Sequence, residues 1–510
     1  MTLSGFSPRR FSDRFLVICR GSAGAAVAGV AILLDLWRTG LWFSQTQIDP
    51  DLSRVAGPVQ SYAHVLHDPF GFGGLQTGLH YPGAGRAMAH ITAKAWADHG
   101  LGWMHVLVAD PVRALYFGLA LTAVLVHVGF LVVGCGYLCA YQPMKTRSTV
   151  FCALGLSLFV QLASQRFYLG IIDHSMSYTF AYAIPLLAFA AFFLPVYRSL
   201  LHCGYIPSLP FAVAMVPLAF YLAFSGPLVQ PVVALIVVFL LGTQAMRRNR
   251  LLVHRRLLPG VGVLAILSAW GMYVSRFNSE STTSVTIASR YTLLRHGLFE
   301  VLVRPSSPWP LLLAALVFLY RFVSRSVENS VRVCLRVHLL VGSGFSVLWL
   351  TLLPLGGYRN YRPFILSSVT LLPVTLITVY LFVLLLRLAL RAKITEKTSA
   401  SGAAFDRCES HVVPTSVDTR RSSRFITLGL STIVVVMLSL GKLTAPPPNN
   451  ACQRATFEQL RDKTGTILPI PRTCPILTET VGALDDPDYQ QAITKLLRRW
   501  RIIEANQTLK

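Results

Sequence analysis

Apolar runs close to twenty residues long recur from one end of this chain to the other, and few folds accommodate that pattern. A bilayer-spanning helix needs about 20 mainly apolar residues, because each residue advances only about 1.5 Å through a hydrocarbon layer near 30 Å thick. Eleven windows qualify: 16–36, 114–134, 148–164, 178–197, 208–224, 228–246, 257–275, 309–323, 337–354, 364–386 and 425–443. The runs 148–164 and 309–323 are short, which suits tilted, extended or half-inserted helices. Composition supports the same reading. Of 510 residues, 53% are hydrophobic and only 13% charged, about half the charge of a soluble domain. A soluble single-domain enzyme, a disordered chain and a disulfide-dense secreted module are therefore excluded. The expected fold is an all-α polytopic membrane protein with about 11 transmembrane helices.

A net charge of +24 suggests nucleic acid in a soluble protein. Here the basic residues sit mostly at the ends of apolar runs, as the positive-inside rule requires, and no nucleic-acid partner is expected. With the N-terminus inside, the inner segments carry clusters such as Arg9, Arg10, Arg14 and Arg20, then Arg247, Arg248, Arg250, Arg255 and Arg256. The short loops on the other side carry far fewer. This orientation puts the N-terminus in the cytoplasm and residues 444–510 outside. Ser7-Pro-Arg-Arg-Phe before an apolar run faintly resembles an export signal, and the run is read as a retained signal anchor.

Two units follow. Residues 1–443 form the membrane module, with outside loops 37–113, 165–177, 276–308 and 355–363 and a flexible cytoplasmic linker 391–423. Residues 444–510 form a small C-terminal extracytoplasmic domain. Of nine cysteines only Cys452 and Cys474 fall outside, so a disulfide between them is expected in an oxidising compartment. Cys135 and Cys139 have the wrong spacing for zinc and read as packing residues. The stretch 488–503 has apolar residues at helical spacing, which fits either an interfacial amphipathic helix or a helix packed on the tail's own core.

The spans hold few ionisable groups away from their ends. Asp35 and His127 are the main exceptions, and their scarcity argues against a proton- or sodium-coupled pathway. The outer loops are richer. Gln45-Thr-Gln-Ile-Asp49-Pro-Asp51-Leu-Ser-Arg54 sends two carboxylates and a guanidinium out of the membrane together. The same residues suit a helix start, with an Asp as N-cap and Pro50 in the first turn. His80-Tyr-Pro-Gly-Ala-Gly-Arg86-Ala-Met-Ala-His90 reads as a glycine turn followed by a helix that Arg86 opens. The histidines of this loop have no metal-ligand spacing. The next loop carries Arg166, Asp173, His174 and Tyr178, the tyrosine serving as interfacial anchor or sugar-stacking surface. Loop 276–308 interleaves Arg290, Arg295 and His296 with leucines, the pattern of an interfacial helix. Arg359 and Arg362 break the positive-inside trend, which fits anionic lipid contact or a bidentate phosphate clamp.

These residues suit a substrate with a phosphate head and a polyisoprenoid tail. A carboxylate, Asp51 or Asp49, would take the proton of an acceptor hydroxyl attacking a sugar's anomeric carbon. Arginine, or a divalent cation such as Mg or Mn held by Asp49 and Asp51, would stabilise the departing lipid phosphate.

In its order of motifs the chain resembles the GT-C superfamily of membrane glycosyltransferases, most of all the serotype-converting glucosyltransferases that modify bacterial O-antigen. The likeness rests on a signal-anchor span followed by Asp49-Pro-Asp51-Leu-Ser-Arg54, then Gly85-Arg86-Ala-Met, then Asp173-His-Ser-Met-Ser-Tyr178 at the opening of the fourth span. It covers about the first 200 residues in motif order and the rest in architecture. The family has two adjacent acidic residues where Pro50 separates them here, and a Pro where this chain has Ala87. The resemblance implies an outer active site, inverting transfer, an undecaprenyl-phosphate-like sugar donor, a glycan or glycolipid acceptor and a bacterial inner-membrane location. An O-antigen polymerase or ligase working through Arg290 and His296, and a flippase or transporter of lipid-linked sugars, are the alternative readings.

Overall fold

In the computed structural model, the described residues are 22–48, 50–57, 60–141, 146–157, 160, 162–163, 172–173, 175–202, 205–226, 228–246, 253–279, 286–303, 307–327, 329–355, 368–402, 450–469, 474 and 486–509. Helices dominate them. The long ones are α1 (Ser22–Ser44), α7 (Pro111–Tyr141), α9 (Met176–Leu201), α10 (Leu209–Ala223), α11 (Val229–Met246), α12 (Leu258–Val274), α14 (Trp309–Ser326), α15 (Asn329–Leu352) and α16 (Ser368–Gly402). Six segments among the described residues are long and apolar enough to cross a membrane: Ala25–Ser44, Pro111–Ala140, Met176–Leu201, Leu258–Phe277, Val331–Leu355 and Thr370–Ala389. Ser148–Ser157, Leu209–Ala223 and Val229–Leu241 are apolar but shorter. The eleventh expected span, 425–443, lies outside the described residues.

The apolar pattern explains the packing. The segment Thr370–Ala389 is mostly buried, whereas Ala25–Ser44 and Val331–Leu355 leave most of their apolar surface open. Val27, Val30, Leu33, Leu34 and Trp37 on α1 are all exposed, as lipid-facing side chains are when no water must be excluded. Small residues let helices approach closely, and a Cβ on Gly129, Gly134 or Gly136 of α7 would press into leucines of its neighbours.

Several helix boundaries differ from the sequence expectation, and two of them are informative. Helix α1 does not stop at residue 36 but runs to Ser44, because nothing breaks it before Gln45. Helix α16 runs to Gly402, so the first dozen residues of the expected linker are helical; Leu-Arg-Ala-Lys-Ile-Thr-Glu-Lys is built of good helix formers apart from its Ile and Thr.

The described residues of 44–110, 224–230, 271–279, 450–469 and 486–509 meet at one end of the bundle, as their mutual hydrogen bonds show. In the first of these lie α2 (Pro50–Ala56), α3 (Gln60–His67), α4 (Phe72–Thr77), α5 (Ala87–Ala95) and, after a π-helical turn, α6 (Leu101–Leu107). At the other end Arg256 donates to the Pro207 carbonyl and His254 N–H to Ser199. The tail folds as α17 (Ala451–Arg461), α18 (Pro487–Arg499) and a parallel pair of short strands, Ile467–Leu468 with Thr508–Leu509. Its apolar helix face is spent on protein: Ile493, Leu496, Leu497 and Trp500 are buried.

Candidate functional site

After α1 the chain turns through Gln45 and Thr46, and Ile48 is gripped on both sides by Gln453 of α17. Ile48 N–H donates to Gln453 Oε1 at 2.9 Å and Gln453 Nε2 donates to the Ile48 carbonyl at 3.1 Å. Helix α2 then begins at Pro50, whose missing N–H costs nothing at a helix start. Asp51 stands in the first turn, where the helix dipole favours a carboxylate. One turn on, Arg54 Nη1 pairs with Asp51 Oδ1 at 3.1 Å, and its Nε donates to the Tyr489 hydroxyl at 3.0 Å. The Asp51 side chain is 42% exposed and that of Arg54 23%, so the pair contributes only about 0.2–1 kcal/mol to stability. Leu52 and Ala56, on the opposite face, are buried. Helix α2 packs on α5, on α18 and on the first turn of α9.

The glycine turn before α5 is clamped from below. Gly83 and Gly85 have φ of +77° and +80°, a region open to glycine at little cost. Gly83 N–H donates to Asn278 Oδ1 at 3.0 Å, and Gln230 Nε2 donates to the Gly85 carbonyl at 3.2 Å. Met88 N–H reaches the Phe224 carbonyl at 2.9 Å. Arg86 therefore opens α5 as expected and is partly exposed. His90 is buried against Gly83 and stacks on Tyr62, its ring centroid 6.1 Å away, so it packs this turn. Lys94, ion-paired with Asp98 at 2.6 Å, also reaches the Ala56 carbonyl at 3.5 Å and ties the ends of α5 and α2 together. Tyr81, buried at the turn's start, bonds Asp68 Oδ2 at 3.1 Å; burial first, and that carboxylate second, push its phenol well up.

Among the other expected site residues, Tyr178 lies in the first turn of α9, which α2 contacts. Ser175 caps that turn, accepting from Tyr178 N–H at 3.2 Å, and the Tyr178 ring packs on Tyr182. The backbone of Asp173 pairs in parallel with Ala163. Arg290 sits on α13 (Ile287–Val303), donating to the Pro354 carbonyl at 3.3 Å, while Tyr291 reaches the Thr351 carbonyl. It is thus tied to the end of α15, just before the segment that holds Arg359 and Arg362. Asp49, Arg166, His174, Arg359 and Arg362 lie outside the described residues. Among the described residues no three His, Cys, Asp or Glu side chains gather as metal ligands would. Cys452 and Cys474 are bonded, their Cα atoms 6.0 Å apart.

Two features escaped the sequence reading. Trp270, Tyr273 and Arg276 recur every three residues near the end of α12 and so share a face. Trp270 and Tyr273 stack at 5.4 Å, Arg276 lies 3.8 Å over the Tyr273 ring, and the exposed Phe72 of α4 packs on Trp270. The three-residue spacing was a usable signal. Tyr489, 435 residues from Arg54, left none. No family model and no curated protein matches this chain.

Proposed function

We propose that this chain is a GT-C-like membrane glycosyltransferase with about 11 spans. It moves a sugar from a polyprenyl-phosphate-linked donor to an extracytoplasmic glycan or glycolipid, with inversion, at a bacterial inner membrane with its N-terminus in the cytoplasm. The observation that carries this reading is the convergence of three separate motifs. The half-exposed Asp51–Arg54 pair, the helix opened by Arg86 and the Ser175–Tyr178 turn pack together at one end of an apolar bundle. The aromatic surface of Phe72, Trp270 and Tyr273, with Arg276 upon it, belongs to the same end and suits ring stacking against a sugar or prenyl chain.

In this reading Asp51 accepts the acceptor hydroxyl's proton as the oxygen attacks the anomeric carbon, and the donor's phosphate leaves with the bonding pair. Arg54, held by Tyr489, orients the carboxylate. Arg359 and Arg362 are the proposed phosphate ligands. A divalent cation on Asp51 fits less well, because Arg54 already neutralises that carboxylate at 3.1 Å, and no step is assigned to one.

The test is Asp51→Asn in the purified full chain, supplied with a polyprenyl-phosphate sugar and an acceptor glycan. Loss of a general base typically lowers turnover about 10²–10⁴-fold. That loss is the expected outcome, with membrane insertion and thermal midpoint unchanged. Full release of polyprenyl phosphate by the variant would remove Asp51 from the mechanism.

A further inference from the structure

The short helix α4 is locked onto the last turns of α12 and still leaves its outer side apolar and open. Asp68 Oδ2 accepts from Gly74 N–H at 2.9 Å and lies 3.1 Å from the Tyr81 hydroxyl. Gly71 and Gly74 bring the helix against Val274 and Phe277, into which a Cβ on either glycine would press. Trp270 Nε1 donates to the Phe70 carbonyl at 2.9 Å, and the Phe72 ring packs on Trp270. With all of these contacts made, Phe72, Leu75 and Leu79 remain 56%, 45% and 48% exposed.

Beside this ledge runs an exposed face of α12. Ile266, Ala269, Tyr273 and Arg276 are all exposed and recur at steps of three and four, so they line up along the helix. Ile266 stands near the middle of the membrane-crossing segment Leu258–Phe277, and Arg276 stands at its end. The rise from one to the other is about 15 Å, half the thickness of the hydrocarbon layer. An apolar strip one leaflet deep thus ends on a cation. That cation is seated on rings: the Arg276 guanidinium carbon lies 3.8 Å from the Tyr273 centroid and 4.7 Å from that of Phe277. Among the described residues no carboxylate pairs with it. His80, exposed and 5.8 Å from Phe277 ring to ring, brings no negative charge. The guanidinium keeps its planar fork of N–H donors, which fits two oxygens of one phosphate.

We propose that this face binds one anionic phospholipid of the adjoining leaflet. Its phosphate sits on Arg276 beside Tyr273, an acyl chain lies along Ala269 and Ile266, and the Phe72, Leu75 and Leu79 ledge flanks the lipid. The two halves of the surface choose the occupant. A strip continuous with a membrane-crossing face takes an acyl chain, which a soluble anion lacks. The arginine at its end favours a headgroup with net negative charge over a zwitterionic one, whose own cation it repels. Contact with two rings limits the motion of the Arg276 side chain, so less freedom is lost when the phosphate binds than for an unsupported arginine. The site stands whether or not the chain transfers sugars. A polyprenyl-phosphate donor would reach the same rings by displacing the phospholipid.

The test uses the full chain in phosphatidylcholine nanodiscs, into which phosphatidylglycerol or phosphatidylcholine brominated near the head of its acyl chains is titrated. Bromine quenches nearby tryptophan, and subtracting Trp270→Phe isolates the emission of Trp270. Half-maximal quenching is expected at about tenfold less brominated phosphatidylglycerol than brominated phosphatidylcholine, the order that a charge-assisted bidentate contact supplies. Arg276→Gln should remove that difference and leave quenching by phosphatidylcholine unchanged. Equal quenching by the two lipids in the wild type, or a preference kept in Arg276→Gln, would overturn the proposal. Arg276→Lys keeps the charge without the planar fork and should lower the preference; an undiminished preference there would mean diffuse charge attraction and overturn it equally. If Trp270→Phe fails to fold, native mass spectra of wild type and Arg276→Gln decide, by the count of phosphatidylglycerol molecules retained on the detergent-released protein. One fewer on the variant is expected, and an equal count overturns the site. Polyprenyl phosphate displacing brominated phosphatidylglycerol at a tenth of its content would make this face the donor's seat and overturn the phospholipid assignment.

Discussion

Gly85 shows how much of the site rests on one backbone angle. Its φ of +80° is strained for any residue with a side chain, and a Cβ there would stand 2.7 Å from Ser275 Oγ and 3.1 Å from the Gly271 carbonyl. Neither neighbour yields easily: Ser275 Oγ is bonded back to the Gly271 carbonyl at 2.8 Å. Gly85→Ala should therefore cost about 1–3 kcal/mol from the backbone alone, and more from the clash. The expected outcome is a lowered thermal midpoint with faster proteolysis in 80–90, and an unchanged midpoint would mean that α12 shifts to make room. The sequence revealed this turn because Gly-Ala-Gly before an apolar helical period leaves little else to form. It did not reveal what clamps the turn. Gln230, Asn278 and Ser275 are ordinary residues in sequence, and only the packing of α11 and α12 beneath the loop makes them partners.

At the scale of elements, periodicity located the helices and failed at their ends. Ten of the eleven apolar runs coincide with helices, six of them long and apolar enough to cross a membrane, and the eleventh lies outside the described residues; but a lipid-facing helix has no polar face to mark where it leaves the bilayer, so α1 overran its expected limit by two turns. The short run at 148–164 forms α8, described over Thr146–Ser157, and the hydroxyl of Ser157 bonds the half-buried Asp35 of α1. Element docking depends just as much on single polar groups. Gln453, 2% exposed, satisfies Ile48 N–H and Ile48 carbonyl together and accepts from the Tyr116 hydroxyl at 3.0 Å. Gln453→Leu removes these partners without leaving a cavity. Each orphaned buried group costs about 1–3 kcal/mol. Hydrogen exchange should show α17 detaching from α1 and α7, with faster exchange at Ile48 in particular. Exchange as slow as in the wild type would show that packing alone holds α17.

Across the whole molecule, the tail and the first long loop behave as one cap. Arg461 pairs with Asp110 at 2.6 Å, Arg499 pairs with Asp98, and Trp500 Nε1 donates to the Ala97 carbonyl at 3.1 Å. None of this was legible in sequence, since the partners are hundreds of residues apart and the tail's helical period fitted a membrane surface equally well. His105 of α6 sits in this seam. Burial first, and the nearby Arg501 second, hold its pKa below the ordinary value, against a weaker opposing bond at Trp500. The sign follows from linkage. A histidine that stays neutral in the folded state contributes stability above its unfolded pKa of about 6.5, and that contribution is lost as pH falls below it. The cap should therefore loosen progressively as pH falls below about 6.5. Proteolysis of residues 450–509 should accelerate with that fall in the wild type, and His105→Gln, which keeps a neutral side chain at every pH, should flatten the change. A pH response that survives in His105→Gln would show that the seam's acid sensitivity resides elsewhere.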